Sequence, residues 1–166
     1  MTNLISKKSS RNFLMLAATV IAFAACTKSD SNACVNTGVV TTAEITQIQT
    51  YLSSKGITAT QDSRGFFYQI VGPGYGSNFP TIASSVTAKY KGSLSNGTIF
   101  DSTVTGATAT FPLSNVILGW QYGVPLIKKG GVINLYLPAS LGYGCNANGS
   151  IPANSMLIFN VEVVNY

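Results

Sequence analysis

The strongest constraint on the fold is the stretch of residues 85–102, which reads SVTAKYKGSLSNGTIFDS. Its apolar side chains at Val86, Ala88 and Tyr90 alternate with polar ones, which is the pattern of a half-buried strand. The Ser-Asn-Gly that follows is typical of a tight hairpin turn, and the residues after it predict the returning strand. Two later segments alternate in the same way: 130–138 and 155–166. We therefore expect an antiparallel sheet.

Two short helices are expected beside this sheet. Residues 41–56 carry apolar side chains at helical spacing, with Thr42 as the expected N-cap and Gly56 as the C-terminal stop. A second, shorter helix is expected from Ser114, which can act as its cap, and the glycines that follow keep it short. The predicted fold class is α+β, with an antiparallel β-sheet curled around one short helix and a short N-terminal helix before it.

The first 25 residues have the composition of a signal peptide. Lys7, Lys8 and Arg11 precede an apolar run that ends in Phe-Ala-Ala-Cys at Cys26, and this run is too short for a comfortable membrane span. The ending resembles a bacterial lipobox, in which the cysteine is acylated and becomes the first mature residue. The alternative is an ordinary signal peptide that happens to precede a cysteine.

The lipobox interpretation predicts a cellular location and a contact with the membrane. Residues 26–40 would then be a polar tether between the lipid and the domain. The protein would be held at the bacterial cell envelope, on the periplasmic face or in the outer membrane, and its contact with the membrane would be the lipid anchor. Which membrane and which leaflet it occupies is left open.

Charge and composition exclude several classes of function. The chain of 166 residues has ten basic and five acidic residues and no histidine. Loss of the predicted signal removes three basic residues, so the mature net charge falls from +5 to about +2. With no basic cluster interleaved with aromatics, a nucleic acid is not expected as partner. The absence of histidine excludes Ser-His-Asp and Cys-His catalysis and argues against a zinc site.

Two cysteines remain after the proposed acylation site, Cys34 and Cys145. An exported chain meets an oxidising compartment, so a disulfide between them is one prediction. Two free thiols are the alternative, since no sequence pattern brings these residues together.

Three segments resemble the FKBP-type peptidyl-prolyl cis-trans isomerases in the order and approximate spacing of that family. They read VTAKYKGSLSNGTIFDST, FPLSNVILGWQYGV and YGCNANGSIPANSMLIFNVEVV, and the resemblance covers residues 84–166. It implies a sheet curled around a short helix with an aromatic pocket between them. We expect residues 72–166 to be the isomerase domain and residues 41–71 an N-terminal extension that resembles that of some bacterial lipoprotein members.

The resemblance also assigns roles to individual residues. It implies four catalytic residues: Tyr90, Phe100, Asp101 and Tyr143. It implies five substrate-binding residues: Val116, Ile117, Trp120, Ile151 and Phe159. Local sequence alone favours a turn or strand-end acid at Asp101, whereas the family pattern makes it a pocket-edge acceptor, with Tyr90 as its expected donor across the hairpin. Ala109 departs from the pattern, because some members carry an aromatic there.

Three functions were weighed on these grounds. The first is a prolyl isomerase that assists the folding of exported proteins, takes proline-containing polypeptides and needs no cofactor or metal. The second is a catalytically weak binding protein or chaperone of the same fold. The third is a structural or adhesive surface lipoprotein, which the pocket residues argue against. The sequence leaves the client proteins and the oligomeric state open.

Overall fold

Seven strands form one sheet in the structure, a computed structural model that describes residues 36–166. The strands are β1 (Thr60–Gln61), β2 (Phe67–Gly72), β3 (Ser85–Leu94), β4 (Ile99–Ser102), β5 (Ala109–Pro112), β6 (Val132–Leu137) and β7 (Leu157–Asn165). The α-helices are α1 (Thr42–Lys55) and α2 (Leu118–Gly123). Single 3₁₀ turns occupy Leu113–Asn115, Val124–Leu126 and Ala139–Leu141. The expected α+β class, with its N-terminal helix, is confirmed.

Every pairing between these strands is antiparallel. The sheet runs in the order β1-β2-β6-β7-β3-β4, and β5 also pairs with β3. β4 lies opposite residues 91–93 and β5 opposite residues 85–88, so the two short strands share one edge of β3. Residues 36–166 lie within one compact unit. Because β2 pairs with β6, the strand of the predicted extension is part of the same sheet, and the predicted boundary after residue 71 stays a prediction.

Helix α1 begins one residue earlier than expected, because its N-cap is Thr41 and not Thr42. Thr41 has an extended backbone, and its hydroxyl accepts a hydrogen bond from the Glu44 amide. The Glu44 side chain in turn accepts from the Thr41 amide, which completes a capping box. The expected stop at Gly56 is confirmed: this residue has a φ of 64° and its amide caps the last turn.

The two helices cover opposite faces of the sheet. Helix α1 packs its buried Ile48 and Leu52 on the outer face, which presents a small apolar cluster: Phe67, Tyr136 and Met156. The inner face carries the main core, to which β6 contributes Ile133, Leu135 and Leu137. This alternation along β6 is the period of two that the sequence predicts for residues 130–138.

The central helix α2 is shorter than the sequence suggested. Ser114 lies in the 3₁₀ turn Leu113–Asn115 and does not cap α2, whose N-cap is Ile117 without a side-chain hydrogen bond. Gly119 and Gly123 allow α2 to approach β6, because a Cβ at either position would overlap the side chain of Leu137 or Leu135. The glycines therefore fix the distance between helix and sheet.

The last residues of the predicted tether, 36–40, lie against the domain, and the assignment of residues 26–40 as a tether stays a prediction. Val40 packs against the main core, and the Asn36 side chain donates a hydrogen bond to the Gly142 carbonyl. The predicted signal peptide, Cys26 and Cys34 lie outside the described residues. Within residues 36–166, none of the helices has the length and apolarity needed to span a membrane.

Candidate functional site

An aromatic cavity of about 280 Å³ opens between α2 and the inner face of the sheet. Seven of the nine site residues expected from the sequence line it: Tyr90, Asp101, Val116, Ile117, Trp120, Tyr143 and Phe159. Two more residues complete the lining: Phe111 and Asn115. These side chains come from five parts of the chain, and the sheet and α2 bring them together.

The indole of Trp120 forms the floor of this cavity and is only 4% exposed. Three rings stand on edge around it, at centroid distances of 5.3 Å for Tyr90, 5.4 Å for Phe111 and 5.3 Å for Phe159. This edge-to-face arrangement is the favourable one for aromatic pairs and holds the rings in fixed positions. The result is a preformed apolar slot with flat walls.

The buried Nε1 of Trp120 has no hydrogen-bond partner among the described residues. A buried donor left unpaired costs about 1–3 kcal/mol, so such groups are rare in folded proteins. Because the chain has a single tryptophan, its fluorescence reports on this cavity alone.

The polar rim of the cavity is built on the β3–β4 hairpin. The Tyr90 hydroxyl donates a 2.7 Å hydrogen bond to the Asp101 carboxylate, as the sequence predicts. Burial and this bond raise the pKa of Tyr90 to about 12. Burial, and then the charge of Asp101, raise the pKa of Tyr143 above its ordinary value. Both phenols are therefore protonated donors at neutral pH.

The wall on the α2 side is held by Gln121, a side chain that no sequence pattern singles out. The Gln121 amide donates to the carbonyl oxygens of Ser114, at 3.2 Å, and Val116, at 2.7 Å. These bonds satisfy two carbonyls in the irregular segment before α2. They hold the segment that carries Val116 and Ile117 against the cavity.

Phe100 and Ile151 stand behind the lining rather than in it. Phe100 meets the ring of Phe159 edge-on at 5.5 Å, so it supports a wall residue. Ile151 is 5% exposed and belongs to the main core. The roles expected of these two residues in catalysis and substrate binding stay predictions.

Phe111 is a lining residue that the sequence analysis missed. It lies two residues after Ala109 on β5, and residues two apart in a strand face the same side. Although Ala109 lacks the aromatic ring that some family members carry, Phe111 on the same face of β5 keeps this wall of the cavity aromatic. Asn115 was also missed, and its only signal was its position directly before the expected wall residues Val116 and Ile117.

The loop that carries Tyr143 has two further neighbours. Cys145 is disulfide-bonded. Its partner lies outside the described residues, so the predicted pairing with Cys34 stays a prediction. A wider cleft of about 430 Å³ lies beyond this loop, next to α1, and includes Glu44 and Ser140 in its lining. This cleft lacks the aromatic walls of the first cavity, and we do not assign the chemistry to it.

Among residues 36–166 there is no group of three or more histidine, cysteine, aspartate or glutamate side chains that could hold a metal ion. The rim offers one carboxylate, two protonated phenols and an amide. This set can bind and orient an amide-containing ligand by hydrogen bonds while the slot takes an apolar ring.

Comparison with protein families matches residues 76–164 to the family described as FKBP-type peptidyl-prolyl cis-trans isomerase. The chain is similar to the FKBP-type peptidyl-prolyl cis-trans isomerase FkpA of Buchnera aphidicola, with 49% identity over 66% of this chain and 43% of the relative. It is 42% identical to FkpA of Aeromonas hydrophila over 66% of this chain and 40% of the relative. The chain thus spans about two fifths of the length of these two relatives.

Among solved structures, the fold resembles the crystal structure of FkpA from Escherichia coli. The TM-score is 0.66 at 37% sequence identity, and the superposition covers 74% of this chain and 57% of that chain. The family match begins at residue 76, and the similarity to this structure also includes part of the segment before that residue.

Proposed function

The chain belongs to the FKBP-type peptidyl-prolyl cis-trans isomerases, and from that membership we propose that it catalyses cis-trans isomerisation of Xaa-Pro bonds in polypeptides. The observation that carries the proposal is the aromatic cavity around Trp120 with the Tyr90–Asp101 pair at its rim. The slot is of a size and polarity that suit a proline ring.

The reaction needs no nucleophile and no metal. An Xaa-Pro bond isomerises slowly because amide resonance is lost in the twisted state, at a barrier of about 18–20 kcal/mol. A thousandfold acceleration requires about 4 kcal/mol of binding that favours the twisted amide over the planar one. No bond is broken, so binding alone can supply this difference.

Each part of the site has a task in this proposal. The floor and walls hold the proline ring and exclude water, which favours the less polar, twisted amide. The Tyr143 hydroxyl donates to a carbonyl oxygen of the substrate. The Asp101 carboxylate, fixed by Tyr90, stands as an acceptor at the edge of the slot. Since the walls are apolar, we expect a preference for an apolar residue before proline.

The test is an isomerisation assay on the domain, by NMR exchange or protease coupling, with a series of short Xaa-Pro peptides. We expect exchange faster than the uncatalysed rate and quenching or enhancement of Trp120 fluorescence as peptide binds. Ile99→Ala serves as control, because Ile99 is 56% exposed and does not line the cavity. Peptide binding without acceleration would support the alternative of a catalytically weak chaperone, and neither binding nor acceleration would reject both.

We also propose that the protein acts at the bacterial cell envelope, anchored through acylated Cys26, and assists the folding of exported proteins. The support is the sequence alone: the basic start, the apolar run and the Phe-Ala-Ala-Cys ending. Intact-mass analysis of the native protein should give a lipid-modified chain that begins at Cys26. Cys26→Ser should abolish acylation, whereas Cys34→Ser should retain it. A wild-type protein recovered unacylated from the soluble fraction would contradict the anchor.

A further inference from the structure

One carboxylate joins the N-terminal helix to the segment that precedes Tyr143. Besides the capping-box bonds from Thr41, Glu44 accepts hydrogen bonds from Ser140: 2.9 Å from the amide to Oε1 and 3.1 Å from the hydroxyl to Oε2. Partial burial on its own would raise the pKa of Glu44, but the bonds from Thr41 and Ser140 outweigh it and hold the pKa below its ordinary value. Glu44 is therefore an ionised acceptor for donors from two elements.

Ser140 lies in the 3₁₀ turn Ala139–Leu141, from which the Tyr143 loop departs. The Ala139 carbonyl accepts from the amides of Gly142, at 2.9 Å, and Gly144, at 2.7 Å. The turn and the residues on both sides of Tyr143 are thus one hydrogen-bonded piece. A displacement of Ser140 would be passed directly to Tyr143.

Two further contacts hold the loop. The Asn154 amide donates to the Gly144 carbonyl at 2.8 Å, and the Asn36 side chain donates to the Gly142 carbonyl at 3.3 Å. Asn36 lies just before α1 in the chain. Within the described residues, the segment before the isomerase domain therefore contacts the loop and the turn before it through Asn36 and Glu44.

We propose that Glu44 is a positioning residue of the isomerase site, which holds the Tyr143 loop at the cavity through its bonds to Ser140. The N-terminal helix then contributes to the site without touching substrate. This inference rests on the proposed function for the part that concerns catalysis, whereas the positioning of the loop can be measured independently of it.

The chemistry of Glu44 allows its two tasks to be separated. A glutamine in its place has one acceptor oxygen, and its amide nitrogen only donates. If that oxygen accepts from the Thr41 amide, the nitrogen faces the Ser140 amide and the bond to the turn is lost. This orientation is the favoured one, because Oε2 accepts from the Thr41 amide, the Thr41 hydroxyl and the Ser140 hydroxyl, whereas Oε1 accepts only from the Ser140 amide. Glu44→Gln therefore keeps the cap and loses the backbone bond to the turn, whereas Thr41→Ala removes the cap hydroxyl and leaves Ser140 with its acceptor.

The first measurement is amide hydrogen exchange of the full domain by NMR. In Glu44→Gln and Ser140→Ala, exchange at Gly144 and Asn154 should become about three- to tenfold faster, the effect of one lost hydrogen bond on local opening. Core amides such as those of Leu135 and Val161 should keep their wild-type protection. Thr41→Ala should leave Gly144 and Asn154 unchanged. Equal acceleration in Thr41→Ala and Glu44→Gln, or no acceleration in Glu44→Gln, would overturn the proposal.

The second measurement is peptide isomerisation with the same variants. Glu44→Gln should lower kcat/KM about fivefold, chiefly by raising KM, because the Tyr143 donor is no longer held where substrate binds. Glu44→Ala removes both acceptors of Ser140, so the double variant Glu44→Ala/Ser140→Ala should lose no more than Glu44→Ala alone. Additive losses would contradict the shared contact. An inactive wild type would reject the proposed function, and the exchange data would still decide whether Glu44 holds the loop.

Discussion

At the rim of the cavity, a single phenol donates a hydrogen bond to a carboxylate beside an apolar slot. Asp101 accepts its bond from Tyr90, and the second phenol, Tyr143, stands close enough for the charge of Asp101 to raise its pKa. Among the described residues, none accepts a hydrogen bond from the Tyr143 hydroxyl, so no protein group there competes with a ligand for it. We therefore treat Tyr143 as the donor available to substrate and Tyr90 as the support of Asp101.

Tyr143→Phe tests this division at the level of one hydroxyl. We expect kcat/KM to fall by a factor that corresponds to about 1 kcal/mol, the typical net value of one hydrogen bond. Thermal stability should hardly change, because the ring remains. Tyr75→Phe is the matched control, since Tyr75 is 64% exposed and does not line the cavity. The same activity in both variants would remove Tyr143 from the site.

Phe111→Ala tests the wall residue to which no role was assigned from the sequence. The ring contacts Trp120 edge-on at 5.4 Å, and its loss opens the side of the slot next to Ala109. We expect weaker peptide binding, seen as a higher Kd in a Trp120 fluorescence titration, and a loss of about 0.5–1.5 kcal/mol for the ring pair beyond the buried area. Phe79→Ala, at an aromatic that is 48% exposed and outside the cavity, should bind peptide as the wild type does. An unchanged Kd in Phe111→Ala would show that β5 does not take part in binding.

Among the elements, β3 determines where the site can form. It pairs with β7 along one edge and with β4 and β5 along the other, so three strands that carry cavity residues are aligned on it. Gly92 in this strand has Phe100 and Phe159 packed directly over its backbone. A side chain here would push apart the two rings that form and support the far wall.

Gly92→Ala should therefore disturb both stability and binding. A Cβ at this position would lie 2.6 Å from the Phe100 ring and 2.7 Å from that of Phe159, closer than packed atoms allow. We expect the free energy of unfolding in urea to fall by about 1–3 kcal/mol, the usual cost of overpacking. Gly72→Ala is the control, because its Cβ would meet only a backbone nitrogen at 3.9 Å. Equal stability of the two variants would mean that the rings move aside freely.

Local pattern predicted the elements well, since alternation and turn residues act within a few positions. The inner face of β7, with Leu157, Phe159 and Val161 buried, matches its sequence period. The Tyr90–Asp101 bond, by contrast, was expected from the family resemblance. Contacts between distant segments were not predictable in this way. No pattern near Glu44 indicates that it binds Ser140, 96 positions later. Phe111 begins one of the three family-like segments, but its place beside Trp120 depends on the pairing of β5 with β3, which no local pattern indicates.

At the scale of the whole molecule, the effect of acid pH on the stability of the fold depends on a small number of carboxylates. A side-chain hydrogen bond from Arg64 is the main cause of the lowered pKa of Asp62, and bonds from Thr41 and Ser140 lower that of Glu44 against the effect of burial. A carboxyl group whose folded pKa is lowered stabilises the fold above its unfolded pKa, and this contribution is lost as pH falls.

The stability of the domain should therefore decrease as pH falls from about 5 towards 2, as carboxylates with unfolded pKa values near 4 take up protons. In Glu44→Gln this decrease should be shallower, because one of the two groups no longer titrates. Urea unfolding at several pH values measures the slope. Gln47→Ala, a change at an exposed polar residue one turn along α1, should keep the wild-type slope. Parallel curves for Glu44→Gln and the wild type would mean that Glu44 binds protons equally in the folded and unfolded chain.

A covalent cross-link involves Cys145, which is disulfide-bonded next to Gly144 in the Tyr143 loop. If Cys34 is its partner, the bond closes a loop of about 110 residues, which removes about 4–5 kcal/mol of chain entropy from the unfolded state in the standard estimate. Reduction should then lower the free energy of unfolding by a large part of that value. It should also speed amide exchange at Gly144, because the segment before α1 would lose its covalent hold on the loop.

Peptide mapping of the non-reduced protein should give a linked pair of peptides containing Cys34 and Cys145. The variant Cys26→Ser should retain this pair, and Cys34→Ser should behave like the reduced wild type. Two free thiols in the non-reduced protein, or a link from Cys145 to Cys26, would contradict the pairing.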